Sequence, residues 1–570
     1  MTELLWEGKY RDGQRALPDR APCTLRDDEI ADRPAEDEAA PSARREDGWR
    51  NRLIHGDTRD VLPALLPAFA GCVNLVYIDP PFATGADQTI AIPLPRADLG
   101  VTPPVSIERV AYRDTWRQGP GLDGYLHWFF ETATLLRELL AEGGALVVHC
   151  DWRADAPLRL ILDEVFGAGN FRNAIAWAYR SGGASRRGGL ARKHDTLLLY
   201  ARSPRFTIRP QTERQYLRKP FIGSHRDAAG RHYVDTLLRD VLDGELTLVR
   251  DGQLVRRNLR PVLNVSRERL GYPTQKPLGL IELLIEIATD PGDLVLDCCC
   301  GSGTTPAAAA ITGRRWIAAD SGPFALAATR ARLLALPAAR PFAVQHVAAR
   351  DGDASRAAGG NAGTLHVSAQ GGSSPPSPAS ALWGERAAEG GGEREGREAG
   401  AKDAKEESSP SDLASALRGE GEPMDGVAAR PASPSAVPFS PSALSSVPSV
   451  SSVVNLSAAP SPRPPRASAA SACSVTLTVE GLTLPLHDLL AGVVTPDARS
   501  GCAWIAYWLV DWEHSGEIFR IGAWSGRPRG GAAPPATLTH TYTRPGRHTI
   551  AVRAVDLLGR VTTTTLEVEL

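Results

Sequence analysis

Asp293-Leu-Val-Leu-Asp297-Cys-Cys-Cys-Gly301-Ser-Gly303-Thr-Thr305 is a short apolar run that ends on a carboxylate, turns through two glycines and enters an alanine-rich stretch from Pro306. Strand, glycine turn and helix in that order make a βα unit whose turn lets backbone come close to a ligand. A turn built only for packing would read the same in isolation, and the spacing is not the G-x-G-x-x-G of a dinucleotide site. Asp320 favours a ligand. It stands 23 residues after Asp297, at the end of the next strand, Arg315-Trp-Ile-Ala-Ala319. A carboxylate there can accept both hydroxyls of a ribose.

Working outward, Val73-Asn-Leu-Val-Tyr-Ile78 and Ala145-Leu-Val-Val-His149 are two more short apolar runs that end in polar or tight-turning residues. Such runs read as parallel strands buried on both faces, with their C-terminal ends pointing into a site. Helical stretches separate them, for example Tyr125 to Glu142 and Leu278 to Thr289. The alternation predicts a mostly parallel α/β domain over residues 51–350.

Directly after Ile78 comes Asp79-Pro80-Pro81-Phe82. Two prolines hold the preceding carboxylate and the carbonyls rigid. Asp79 and the Pro80 carbonyl can each take one N–H of an exocyclic amine, directing its nitrogen lone pair away, while Phe82 stacks on a flipped base. Alone, an Asp-Pro after a strand is more often a simple turn. Its place at a strand end, in a chain that also carries the glycine turn, argues for chemistry.

The length of 570 residues suggests three or four units, at roughly 150 residues per domain. A net charge of -2 excludes a globally basic, histone-like binder but allows a local basic face. With 54 Gly and 45 Pro, part of the chain falls below what a packed core needs. That part is 351–470, dominated by Ala, Gly, Ser and Pro, and read as a disordered linker. Residues 1–50 are polar with one apolar cluster, Leu4-Leu5-Trp6, and read as an N-terminal arm. In 471–570 strand signals return with Trp504, Trp508, Trp512 and Trp524, and two alternating runs, 549–555 and 561–570, flank a turn at Asp556-Leu-Leu-Gly559. This pattern predicts a small all-β sandwich.

Of eight cysteines, three are consecutive (Cys298, Cys299, Cys300) and the rest stand alone, which fits neither a disulfide framework nor a zinc site. No metal is expected. Residues Met1 to Arg20 are charged from Glu3 onward, and no apolar run of membrane length occurs. The reading is a reduced, cytoplasmic chain with no membrane partner.

Together these motifs resemble the β-class amino-methyltransferases of DNA, including the modification subunits of type III restriction systems. Tyr272-Pro-Thr-Gln-Lys-Pro277 precedes the glycine turn while Asp79 to Phe82 lies far upstream, the permuted order of that family. Leu53-Ile-His-Gly-Asp57 resembles its early Gly-Asp element. The resemblance implies a Rossmann-like fold dependent on S-adenosylmethionine, with Asp79, Pro80, Pro81 and Phe82 catalytic. Asp57 would lie near the cofactor's adenine, and Thr274, Gln275 and Lys276 would close over its methionine end. Asp297, Cys299, Gly301, Gly303, Thr304 and Asp320 would form the rest of the cofactor site. The family commonly has Asp-Pro-Phe where Asp297-Cys298-Cys299 stands here, a change that puts local packing and cofactor affinity at stake.

An acidic first residue in the catalytic motif resembles adenine-N6 enzymes, whereas cytosine-N4 enzymes more often carry Ser. The leading reading is therefore methylation of adenine N6 in double-stranded DNA within a restriction-modification or related system. The alternatives are a cytosine-N4 enzyme and a catalytically weak DNA-binding scaffold. Carbon-5 chemistry needs a nucleophilic Cys, and the one Pro-Cys pair, Pro22-Cys23, sits in the polar arm. Target recognition falls in an insert at about 180–265, where Arg180 to Lys219 holds eleven Lys or Arg against two acids. Arg186, Arg187, Arg192 and Lys193 are the candidate phosphate contacts. Tyr200, Phe206 and Tyr216 are candidates to fill the gap left by a flipped base, and Arg250, Arg256, Arg257 and Arg260 extend the basic strip. Type III relatives dimerise and work with a separate restriction subunit, so the resemblance adds a second copy and such a subunit as partners. His149 and Asp151 read as structural. The last strands resemble immunoglobulin-like modules of the polycystic-kidney-disease type, which implies a binding appendage on a flexible spacer.

Overall fold

The computed structural model describes residues 3–18, 23–32, 48–93, 106–116, 121–180, 190–263, 266–339, 341–348, 364–369, 473–483, 502–528 and 532–570. The linker reading of 351–470 therefore lies outside the described residues, apart from one strand, Thr364–Ala369.

The apolar runs singled out in the sequence become neighbouring strands of one sheet. Its strands in chain order are β1 (Leu25–Ala31), β2 (Asn51–His55), β3 (Val73–Ile78), β4 (Leu140–Cys150), β5 (Phe171–Ala178), β6 (His194–Ala201), β7 (Leu294–Asp297), β8 (Arg315–Asp320) and β9 (Phe342–Val347). Across the sheet the order is β5-β6-β4-β3-β7-β8-β2-β9-β1, with the short strands Val241–Asp243 and Phe519–Arg520 at the two edges. From β4 to β9 every pairing is parallel. β6 turns antiparallel against β4, and β1 against β9.

Burial on both faces explains the unbroken apolar runs. On β3, Leu75 and Tyr77 point into the core shared with helices Leu278–Ala288, Thr304–Ile311 and Pro323–Leu334. Val76 and Ile78 point the other way, into the core shared with helices Thr58–Phe69, Leu122–Leu139 and Asp155–Leu162. Because β3, β7 and β8 are parallel neighbours, Asp79, Asp297 and Asp320 arrive together at one edge of the sheet, as doubly wound sheets place their sites.

The 180–265 insert contains a five-stranded antiparallel sheet, including Thr212–Leu217, His232–Leu237, Glu245–Arg250 and Gln253–Asn258. Gln88–Pro93 and Ser106–Tyr112 pair as a separate two-stranded antiparallel ribbon.

Two segments that the sequence sets apart are packed against the α/β region. Leu25–Ala31, in the 1–50 arm, joins the main sheet as β1. The C-terminal segment forms a four-stranded sheet and, together with Thr364–Ala369 from the stretch read as linker, a three-stranded one, and its Phe519–Arg520 extends the main sheet beyond β1. In its strand Ile505–Asp511, Trp508 and Val510 face the module's own core, while Tyr507 and Leu509 join the core that holds Trp316 and Phe342. A tether in the chain does not prevent docking when an apolar face is available. Glu29 of β1 locks the joint: it is buried and paired with both Arg330 and Arg553, Arg553 Nη1 lying 2.6 Å away, while Arg330 also donates to the Tyr507 hydroxyl at 2.6 Å.

Candidate cofactor and base-binding site

The C-terminal edge of the parallel strands opens into a cavity of about 550 Å³. Asp57, Asp79, Pro80, Pro81, Phe82, Thr274, Lys276, Cys299, Gly301 and Asp320 all line it. Five chain segments far apart in sequence are thereby brought together. Asp297, Gln275 and Thr304 lie one layer deeper, around a small adjoining cleft.

Each placement has a local cause. Gly301 takes φ +49 and Gly303 φ +72, which turn the chain from β7 into helix Thr304–Ile311. A Cβ on Gly303 would come 2.7 Å from Thr329, so this glycine serves close packing and does not reach the cavity. At Gly301 a Cβ would sit 3.2 Å from the Tyr272 ring, which lies against the cavity wall. Asp320 accepts the Gly301 N–H at 2.9 Å and the Gly322 N–H at 2.8 Å, which orients its carboxylate at the mouth of the turn and leaves lone pairs for a ligand. Burial raises its pKa above the ordinary carboxylate value. Asp57 caps helix Thr58–Phe69 through Arg59 N–H at 2.9 Å. Gln275 braces its own segment, accepting from Leu270 N–H at 2.9 Å and donating to the Glu268 carbonyl at 2.8 Å.

The three cysteines diverge. Cys298 packs into one core and Cys300 into the other; Cys299, between them, lines the cavity together with the edge of Cys298. Its hydrogen bond with Cys298 and its burial both push the Cys299 thiol well above its ordinary pKa. Asp297, fully enclosed, accepts the Cys299 N–H at 3.0 Å, and burial pushes its carboxyl up to about 7.

Asp79 makes an ion pair with Lys276 through Oδ2, and its buried Oδ1 accepts no hydrogen bond. Oδ1 thus keeps its lone pairs open at the cavity wall. Behind it, Phe82 stacks on the His149 ring at 5.9 Å. His149 bonds the Tyr77 hydroxyl (3.0 Å) and Asp195 (3.2 Å), and Asp195 accepts from Tyr179 at 2.9 Å. The partner of His149 is thus Asp195 of β6, while Asp151 accepts the Arg153 N–H at 2.8 Å. The loop after Phe82 is clamped by Asp114, which accepts Ala83 N–H and Thr84 N–H, both at 2.9 Å, with Ala83 at φ +53. Asp87 holds Asp114 in turn, accepting its N–H at 3.0 Å. Neither Asp87 nor Asp114 stands in a pattern the sequence could flag, because their partners come from the other side of the ribbon.

The basic strip is only partly free. Arg250 and Arg257 pair with Glu286 and so join the insert to helix Leu278–Ala288, while Arg214 pairs with Asp235 inside the insert. Tyr200 and Phe206 are core residues and cannot enter a duplex, whereas Tyr216 is 38% exposed. Arg192 lies over the exposed Trp152 ring at 3.7 Å, and Lys193 borders a second cavity of about 490 Å³ with Tyr179, Arg180 and Arg260. Arg186 and Arg187 lie outside the described residues. No described helix is long and apolar enough to cross a membrane.

The parallel sheet thus brings a glycine turn, the Asp320 carboxylate and a rigid Asp-Pro-Pro-Phe loop to one edge. Residues 73–330 match the DNA methylase family of N6 and N4 enzymes, and this part of the chain is similar to β-class DNA amino-methyltransferases. Type II methyltransferase M.EcaI of Enterobacter cloacae is 26% identical over 301 residues, 44% of this chain and 62% of that protein. The Mod subunit of the type III restriction-modification enzyme EcoPI of Escherichia phage P1 is 29% identical over 209 residues, 35% of this chain and 30% of the subunit. Among solved structures, the M1.HpyAVI–SAM complex aligns at 17% identity and TM-score 0.28, covering 49% of this chain and 98% of that one. The cytosine-N4-specific PvuII methyltransferase aligns at 20% identity and TM-score 0.31, covering 50% and 86%. The chain spans less than two thirds of the length of either relative.

Proposed function

We propose that this chain methylates the N6 amino group of adenine in double-stranded DNA, in a restriction-modification or related system. The observation that carries the reading is the unpaired, buried Oδ1 of Asp79 at the wall of the cavity, one residue before two prolines. The cofactor fits these residues: a glycine at 301 keeps the space beneath Tyr272, and Asp320 and Asp57 present carboxylates to a nucleoside. Bound S-adenosylmethionine supplies the methyl group from its sulfonium.

The protein's own groups do the positioning. Asp79 Oδ1 and the Pro80 carbonyl accept the two amine hydrogens, and Phe82, backed by His149, offers the flat face on which the base rests. Asp79 Oδ1 is also the atom placed to take the proton that the nitrogen sheds after its new bond forms. Lys276 holds Asp79 Oδ2 and so fixes the carboxylate's rotation. Arg192, Lys193, Arg186 and Arg187 are proposed to contact phosphates, and a second copy of the chain and a separate restriction subunit remain proposed partners in a cytoplasmic setting. The C-terminal sheets are proposed to be an immunoglobulin-like module of the polycystic-kidney-disease type.

The test is to express the chain in a host without DNA methylation and to sequence its genome by a method that reports modified bases, beside Asp79→Ala. Methyladenine in one short motif, absent from the control, supports the proposal. Methylcytosine would replace it with the N4 reading, and no modification by a well-folded chain would favour a scaffold.

A further inference from the structure

The ribbon that walls the cavity rests its two buried isoleucines on the C-terminal module. Val110, Ala111, Tyr112 and Arg113 line the cavity, on or just beyond the strand Ser106–Tyr112. That strand pairs only with Gln88–Pro93 among the described residues. A two-stranded ribbon is marginal by itself in water and needs an apolar surface to rest on. Ile92 and Ile107, directly opposite each other across the ribbon, are buried, and the core they enter is that of the C-terminal module, with Trp504, Trp508 and Leu558.

Contact continues into the site itself. Ile90 and Phe324 pack both against the module's core and against a small cluster of Ala111, Tyr272 and Ala325. Tyr272 and Ala111 line the cavity, and Tyr272 is the ring over Gly301. A second support comes from the turn after Asp556. A Cβ on Gly559 would lie 3.2 Å from the Pro323 carbonyl oxygen, and Pro323 directly follows Asp320, Ser321 and Gly322 of the cavity wall.

We propose that the C-terminal β module is a working part of the cofactor site: it props the 88–112 ribbon and the 320–324 turn, and thereby sets affinity for S-adenosylmethionine. The inference rests on the cofactor reading of the cavity. It assigns positioning roles to Ile92 and Ile107, which touch no ligand.

The experiment compares the full chain with its Ile92→Ala/Ile107→Ala variant by hydrogen exchange over residues 106–113, without cofactor, and by calorimetric titration with S-adenosylmethionine. Faster exchange over 106–113 and about ten-fold weaker cofactor binding are expected, with affinity for a DNA duplex unchanged. Unchanged exchange, or faster exchange with unchanged cofactor affinity, overturns the proposal. Should the full chain itself bind no S-adenosylmethionine, the cofactor reading fails and takes the affinity role with it, while the exchange result still decides whether the module props the ribbon. Ile107→Val, with an expected two- to three-fold weakening, settles the question if the double variant loses the fluorescence of the module's buried tryptophans.

Discussion

Asp79 and Asp297 sit at the ends of adjacent strands, and their surroundings push them toward different tasks. Asp79 is tied to Lys276 on one oxygen and open on the other. Asp79→Ala should lower the rate of methyl transfer by about 10²–10³-fold or more, as loss of a preorganised polar group does. Binding of S-adenosylmethionine should stay within about three-fold, by the fold-change convention in which ten-fold is 1.4 kcal/mol. Loss of cofactor binding with the rate would instead mark Asp79 as part of the cofactor pocket. Among the described residues no cation pairs with Asp297, and burial raises it from 3.8 to about 7. The folded state therefore holds a proton that the unfolded chain has released, so this group's contribution favours folding at low pH and is lost as pH rises from about 4 to about 7. Asp297→Asn, which keeps an acceptor for the Cys299 N–H, should flatten the fall of melting temperature across that window. A fall as steep as that of the unaltered chain would contradict the assignment.

At the scale of elements, the loop from Asp79 to Phe82, proposed as catalytic, depends on residues outside its own motif. Asp114 fixes the two peptides after Phe82 and holds Ala83 in a left-handed conformation that costs about 1–3 kcal/mol for a residue with a side chain. Asp114→Ala should let the loop relax, dropping kcat by about 10–100-fold, the order expected when reacting groups shift by an ångström. KM for S-adenosylmethionine should change little, and Asp114→Asn, which keeps one acceptor, should recover part of the rate. An equal rise in KM would mean that the clamp serves the cofactor and not the base.

Across the whole molecule the joint between the methyltransferase region and the C-terminal module is ionic at its centre and apolar around it. Burial alone would raise the Glu29 carboxyl, yet the charges of Arg330 and Arg553 hold it below its ordinary value. Glu29→Gln leaves two guanidinium groups facing each other with no counter-charge. It should cost about 3–5 kcal/mol, as breaking a buried ionic set does. Denaturant unfolding followed by tryptophan fluorescence checks this, and a loss under 1 kcal/mol would show the joint to be held by Tyr507, Leu509 and Phe519 instead.

What the sequence by itself determined is the set of central strands and which polar residues stand at their ends. Val73–Ile78 and the run to Asp297 are legible because a parallel strand buried on both faces must be apolar throughout, and a strand end followed by Pro-Pro or Gly-x-Gly admits few conformations. Tertiary structure alone decided which side chains close the site. Asp114 reaches the catalytic loop across 30 or more residues, His149 takes Asp195 from the next strand in place of its near neighbour Asp151, and the basic run divides into paired and exposed members. The C-terminal module, read as a tethered appendage, contributes to the main core because Tyr507 and Leu509 lie on a face of their strand that alternation makes apolar without saying what covers it. Periodicity reports that a face is buried; only the assembled chain names its partner.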